Sequence, residues 1–377
     1  MRIGLDLLLE PTVITGTGIH ALGVVRGLAS IDKTNEYFLF VHCDNLPAFY
    51  QPQDNFHCLG YKFNAVSDVH RHVAQLLLLR RITGAPSGSR LDLLHSLTNV
   101  APPLYSGRSV VTVHDLAPLT LPKNQLTALQ RLWWPALVRR SVAKARRVIA
   151  VSERTKADLM QHLSTPADAV TVITNGVDGG FMPQAAGGGL ALLQGLAPGR
   201  EYVLYVGRLA ASKNLTRLVG AYGRLPESAR QRFQLLLVGP DEGEEAGLRE
   251  QVARLGLGDA VLFSGYVPHE RLPAYYRQAR CLVLASHYEG FGLPLAEAMA
   301  CGTPVVAANT GSMPEVVGQG GLLVDPTDEA ALAQAIERLC LNDRLHGQLG
   351  AAALAQAARY SWEKAARRTL AVYKATE

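Results

Sequence analysis

The stretch Leu284–Val316, LASHYEGFGLPLAEAMACGTPVVAANTGSMPEV, constrains this chain more than any other. The apolar run Cys281–Ala285 reads as a buried strand. A turn follows with Gly290 and Gly292. Pro294 then stands where a first helical turn begins, which suits its fixed φ and missing N–H. The helix stops at Gly302, a natural C-terminal cap. Thr303–Ala307 reads as a second buried strand. Strand, glycine loop, helix and strand make a βαβ unit, and such units build parallel sheets.

Two carboxylates bracket the glycine loop, Glu289 before the helix and Glu297 on it. The free amides at a helix start attract phosphate, and they also favour a capping carboxylate. The arrangement fits a phosphate-bearing ligand with acids for its hydroxyl groups. It also fits a Glu289 that only caps the helix. The stretch alone leaves both open.

At 377 residues the chain is long for one core, so two domains are expected. The expected division is an N-terminal Rossmann-like domain over 1–180, a linker over 181–199, a second Rossmann-like domain over 200–358, and a closing helix over 359–377. Turn-forming runs NGVDGG, QAAGGG and APG mark the linker. On either side, apolar strands alternate with helices. Strands are expected at 2–8, 37–42, 91–95, 109–113, 147–151 and 170–173, then at 202–206, 233–238, 260–264, 281–285, 303–307 and 321–324. Helices are expected at 20–29, 68–81, 124–145 and 153–162, then at 214–224, 244–255, 269–278, 294–301 and 328–341, with helix from 343 to 376 broken near Tyr360. This is α/β, two doubly wound domains facing a cleft, with ligands beyond the carboxyl ends of the strands.

Five scattered cysteines without a C-x-x-C pair fit a reducing compartment. No apolar run approaches the roughly 18 residues of a membrane span. The expected location is the cytoplasm. The charge is uneven: residues 1–180 carry 18 Lys and Arg against 13 Asp and Glu, and the remainder carries 19 of each. The excess concentrates in 131–147, RLWWPALVRRSVAKARR, with six basic residues and no acid. This stretch reads either as an anionic-membrane contact on the inner face or as a solvated helix with its tryptophans packed inward. Nucleic acid is not an expected partner, because no binding motif accompanies the modest charge.

Other groups sit at expected strand ends. His114–Asp115 follow one strand. Arg208 and Lys213 follow another, and together they suit a diphosphate. Gly16 and Gly18 lie in the first strand-to-helix loop and let a ligand approach the backbone. The sequence contains no P-loop, no G-x-S-x-G elbow, no Cys/His cluster and no D-x-D. No metal site is expected, so Arg208, Lys213 and helix amides would have to stabilise a leaving diphosphate.

Gly16-Thr17-Gly18, VTVHDLAPL (111–119), IAVSERTKADL (149–159), VITNGVD (172–178), YVGRLAASKNL (205–215), HYEGFGLPLAEAMACGTPVVAANTGSMPEV (287–316) and YSWEKAARRTLAVY (360–373) occur in this order and span nearly the whole chain. Together they resemble the retaining, GT-B-fold glycosyltransferases of family 4. The resemblance implies that Glu297 holds the donor ribose and Glu289 lies near the transferred sugar. It implies that Arg208 and Lys213 neutralise the donor pyrophosphate, and that His114 touches the donor sugar and assists the reacting centre. Gly16 and Gly18 would lie near the phosphates, Gly265–Val267 would face the base, and Gly290, Phe291, Gly292 and Leu293 would line the donor. The catalytic set is then His114, Glu289, Arg208 and Lys213. The final helix would cross back to the first domain.

The His-Asp-Leu after the strand and the compact N-terminal loop resemble the branch of mannosyl- and rhamnosyltransferases of bacterial O-antigen and capsule assembly. That branch implies a GDP-sugar co-substrate without a cofactor, and a saccharide or lipid-linked saccharide acceptor. Alternatives on the same fold are a UDP-sugar-dependent transferase, a phosphorylase and a non-catalytic sugar-nucleotide-binding subunit. Met313 and Gly179-Gly180 depart from the family pattern.

Overall fold

The computed structural model describes residues 1–8, 15–62, 91–102, 105–120, 134–183 and 199–377. The chain packs as two compact units, Met1–Gly176 with Ser361–Glu377, and Val177–Tyr360.

The first unit is a parallel sheet of strands β1 (Arg2–Leu7), β2 (Glu36–His42), β3 (Phe56–Tyr61), β4 (Leu93–Ser96), β5 (Ser109–Val113), β6 (Arg147–Ala150) and β7 (Val170–Val172), in the order β3-β2-β1-β4-β5-β6-β7. Strands β1, β4 and β5 are buried along most of their length, as expected where helices cover both faces. β3 is absent from the sequence expectations. It is an edge strand, FHCLGY, with polar and half-exposed positions, so no apolar run announces it.

The first helix runs Gly16–Ile31, four residues earlier than expected, and Thr15 caps it by accepting from the Gly18 amide at 3.4 Å. Gly16 and Gly18 therefore belong to the first helical turn and not to a loop. The strand-to-helix segment 9–14, the helix expected at 68–81, the first part of that at 124–145 and most of the linker lie outside the described residues.

The terminal helix Trp362–Lys374 lies on helix 16–31. Glycines make that contact possible. A Cβ on Gly23 would stand 2.1 Å from the Trp362 ring, and one on Gly27 would stand 2.7 Å from the Trp362 carbonyl oxygen. Ser361 caps the helix, accepting from the Lys364 amide. Near its far end Tyr373 meets His95 Nδ1 at 2.6 Å, and His95 Nε2 meets Thr112 Oγ1 at 2.8 Å. The last residues of the chain thus complete the core of the first unit.

The second unit repeats the plan: β8 (Glu201–Val206), β9 (Phe233–Val238), β10 (Val261–Gly265), β11 (Cys281–Leu284), β12 (Val305–Ala308) and β13 (Gly321–Val324), all parallel, in the order β10-β9-β8-β11-β12-β13. β9, β11 and β12 are buried at every position. Residues 177–180, grouped with the first domain in the sequence expectation, go with this unit. Here the Phe181 ring packs on His269 and Tyr276, with centroids 4.9 and 5.8 Å apart, which anchors the segment.

Candidate active site

Strand order reverses between β8 and β11, and ligands of doubly wound sheets bind at such a switch point. The loops leaving these two neighbours carry most of the charged groups singled out in the sequence. They are fastened to each other. The His287 amide donates to the Ser212 carbonyl at 3.0 Å, and Asn214 Nδ2 donates to the Ala285 carbonyl at 3.0 Å. Asn214 takes a left-handed φ of 58° to do so, a conformation asparagine tolerates better than most residues.

This fastening brings Lys213 and Glu289 together. Lys213 Nζ donates to Glu289 Oε1 at 2.7 Å, and Ser286 Oγ donates to the same oxygen at 2.7 Å. Both charged side chains are mostly shielded, 17% and 16% exposed. Beneath them, the Ser312 amide and hydroxyl donate to the Glu289 carbonyl at 3.1 and 3.0 Å. A Cβ at Gly311 would fall 2.8 Å from that carbonyl oxygen, and φ there is +59°. The loop after β12 therefore fixes the backbone of Glu289.

Arg208 does not join Lys213. It pairs with Glu242 at 2.6 Å, and both side chains are exposed. Backbone pairing of the loops after β8 and β9 sets up that contact: Leu209 donates to Pro240, and Glu242 donates to Leu209. An exposed pair of this kind contributes little stability, so the guanidinium can exchange its partner readily.

Gly292 precedes the helix Leu293–Ala300 with φ +86°, the left-handed region that favours glycine. Pro294 has no amide, and the Leu295 amide donates to the Gly292 carbonyl at 3.0 Å. Phe291 and Leu293 are buried, and the Phe291 ring meets Tyr360 edge-on at 5.4 Å. Val267, just past β10, is buried too.

Glu297 lies on the next turn of this helix, only 4% exposed. Both its oxygens are engaged: Oε1 with His269 Nε2 at 2.8 Å, and Oε2 as acceptor from the Tyr276 hydroxyl at 2.8 Å. A buried carboxylate needs such partners, and each oxygen retains a further lone pair for a ligand hydroxyl.

In the first unit, His114 follows β5. Its amide donates to Asn99 Oδ1 at 2.7 Å, and its ring Nε2 lies 2.8 Å from the Leu97 carbonyl. A carbonyl only accepts, so Nε2 carries the proton and Nδ1 is left as an acceptor. Burial pushes the imidazole below the ordinary histidine range, so it is neutral near neutral pH. His20 stands edge-on against it, ring centroids 4.6 Å apart, and shares a 2.7 Å hydrogen bond with Asn175. Asp115 accepts from the Ala117 amide and shapes the turn. Among the described residues, no group of three His, Cys, Asp or Glu side chains is arranged to hold a metal ion.

Two family patterns match, Glycosyltransferase Family 4 over residues 14–179 and Glycosyl transferases group 1 over residues 194–356. The O-antigen chain mannosyltransferase B of Escherichia coli is 31% identical over 379 residues, spanning 96% of this chain and 96% of that protein. The chain belongs to glycosyltransferase family 4. Solved structures agree on the fold of this glycosyltransferase. Sucrose-phosphate synthase from Thermosynechococcus elongatus superposes with a TM-score of 0.79 at 24% identity, over 99% of this chain and 98% of that one. HepE of Anabaena, solved with UDP and glucose, superposes with a TM-score of 0.77 at 19% identity, over the whole of both chains. The two parallel-sheet, Rossmann-like units are those of the GT-B fold.

Several residues of this family 4 enzyme escaped sequence reasoning. Ser286, Gly311 and Ser312 flank Glu289 inside or beside the recognised stretch, but nothing in their spacing says which loop they brace. Glu242 stands in an acid-rich turn, DEGEE, that gives no sign of its partner. His269, Tyr276, His20 and Asn175 reach their partners only through the fold.

Proposed function

We propose that the chain transfers mannose from a GDP-sugar to a growing saccharide of bacterial polysaccharide assembly, with retention of anomeric configuration. The observation that supports this most is the end-to-end similarity to an O-antigen chain mannosyltransferase. The donor binds the second unit. Its diphosphate meets Lys213, Arg208 and the amides of Gly292 and Leu293, and its ribose meets Glu297. Glu289 orients the transferred sugar, and His114 accepts a hydroxyl of that sugar through Nδ1.

Glu289 already accepts from Lys213 and Ser286, which makes it a positioning group more than a nucleophile. In this reading the attack is front-face. The bond from C1 to the phosphate oxygen breaks as the acceptor oxygen bonds to C1 from the same side. The acceptor's proton passes to the leaving phosphate oxygen. Negative charge grows on the diphosphate, where the ammonium of Lys213 stabilises it without a metal.

The enzyme works in the cytoplasm against the membrane, where a lipid-linked acceptor resides. In the helix Trp134–Lys144, Val138 and Val142 are buried and Trp134 packs against the core, while Arg139, Arg140 and Lys144 are exposed. Trp133 lies outside the described residues. Among the described residues no helix is long and apolar enough to cross a membrane. Sedimentation with anionic vesicles tests the contact, and an R139A/R140A variant should sediment less.

The test of the function itself is nucleotide release from GDP-, UDP-, ADP- and dTDP-sugars with a chelator present. GDP-mannose should be consumed fastest. Preference for a UDP-sugar would overturn the donor assignment, and dependence on a divalent metal would overturn the charge-stabilisation mechanism.

A further inference from the structure

His269 sits in the short turn His269–Arg271 after β10, between two carboxylates of distant origin. Its Nε2 lies 2.8 Å from Glu297 Oε1, and its Nδ1 lies 4.0 Å from Asp178 Oδ2. Phe181, from the same segment as Asp178, packs against the ring. Glu270 adds a third carboxylate from its own turn, and Tyr276, on the adjacent helix Leu272–Gln278, holds the other oxygen of Glu297. A neutral imidazole has one N–H and turns a lone pair toward one of the two carboxylates it faces, whereas an imidazolium donates to Glu297 at Nε2 and presents positive charge and an N–H toward Asp178 at 4.0 Å.

We propose that His269, as an imidazolium, is a positioning residue for donor binding, orienting Glu297 through the 2.8 Å contact at Nε2 while its charge faces Asp178 on the other side. This rests on the assignment of Glu297 to the donor ribose. Burial lowers the proton affinity of the ring, but the hydrogen bond and charge of Glu297, with Asp178 and Glu270, outweigh it and leave the pKa above the ordinary 6.5. The imidazolium is therefore present at and below the ordinary value and is lost as pH rises through the raised one. Above that point Nδ1 turns a lone pair toward Asp178, and the clamp on Glu297 loosens. Donor affinity should fall with it, while the reacting groups around Lys213 and Glu289 are untouched.

The experiment is calorimetric titration of GDP, and separately of UDP, into the full chain from about pH 6 to about pH 9. Wild type should bind more weakly as pH rises. His269→Gln can still donate to Glu297 but cannot titrate. It should bind about tenfold or more weakly at the low end, with no pH dependence, and keep its turnover at saturating donor. Asp178→Asn removes only the far carboxylate and should move the fall in affinity to lower pH. A wild-type affinity flat across the range, or a His269→Gln variant with the wild-type profile, would overturn the proposal. Glu297→Gln separates the two claims. If it abolishes binding while the His269 variants leave it unchanged, the ribose assignment stands and the proposal fails. If it binds as wild type, the ribose assignment fails. If wild type binds neither nucleotide, both fail.

Discussion

Lys213 and Glu289 form a shielded 2.7 Å ion pair that joins the loops of two neighbouring strands at the point where strand order reverses. The pair does not consume the lysine. An ammonium has three donors, so Nζ can hold Glu289 and still offer N–H groups to a diphosphate. The carboxylate aims the cation.

Lys213→Ala should lower turnover by about 10²-fold or more, since it removes the charge that stabilises the leaving diphosphate. Donor consumption under saturating conditions checks this. A turnover near wild type would remove Lys213 from the mechanism.

Glu289→Gln should act on the sugar and not on the nucleotide. The amide still accepts from Ser286 and Lys213, but it loses the charge. Affinity for GDP alone should stay within about twofold, while sugar transfer falls by about tenfold or more. Calorimetry with GDP, beside a transfer assay, distinguishes the two effects. Equal loss in both would make Glu289 a structural residue.

Acid should destabilise the first unit. Burial depresses the pKa of His20, His95 and His114, and holds His95 at about 3. In the unfolded chain these rings protonate near the ordinary value of 6.5. Below the ordinary value the unfolded state binds more protons, so stability falls as pH drops below about 6.5, and His95 alone contributes about 1.4 kcal/mol per pH unit between its two values. Denaturant unfolding at about pH 7 and about pH 5 measures the slope. His95→Gln should make it shallower, and an unchanged slope would mean that His95 is already charged in the fold.

Gly27→Ala should cost about 1–3 kcal/mol, because its Cβ would press into the backbone of the terminal helix at Trp362. Gly347→Ala is the control. It lies inside the helix Asp343–Ala357 with nothing within 4 Å of a Cβ, and should stabilise by about 0.5–1 kcal/mol. Thermal unfolding of both variants tests the contact. Equal effects would mean that Gly27 does not hold the terminal helix.

Much of this architecture is legible in the chain alone, because buried parallel strands such as β9, FQLLLV, are uniformly apolar and glycines and prolines punctuate them. The edge strand β3 was not legible, since half-exposed strands carry mixed polarity. The start of helix 16–31 is not legible, because glycine argues for a loop, whereas here the small residues open the helix under the Thr15 cap. In the site, the charged residues could be named from the loops that carry them, but their pairings could not. Lys213 finding Glu289, Arg208 finding Glu242 and Glu297 finding His269 each depend on which strands are neighbours, which no local pattern encodes.

The most direct measurement is a crystal structure of the full chain with GDP-mannose bound. It should show the diphosphate within hydrogen-bond distance of Lys213 Nζ, the ribose hydroxyls on Glu297, and the mannose beside Glu289 with the Lys213–Glu289 pair intact. A nucleotide seated away from the loops after β8 and β11, with Lys213 and Glu297 untouched, would contradict the account.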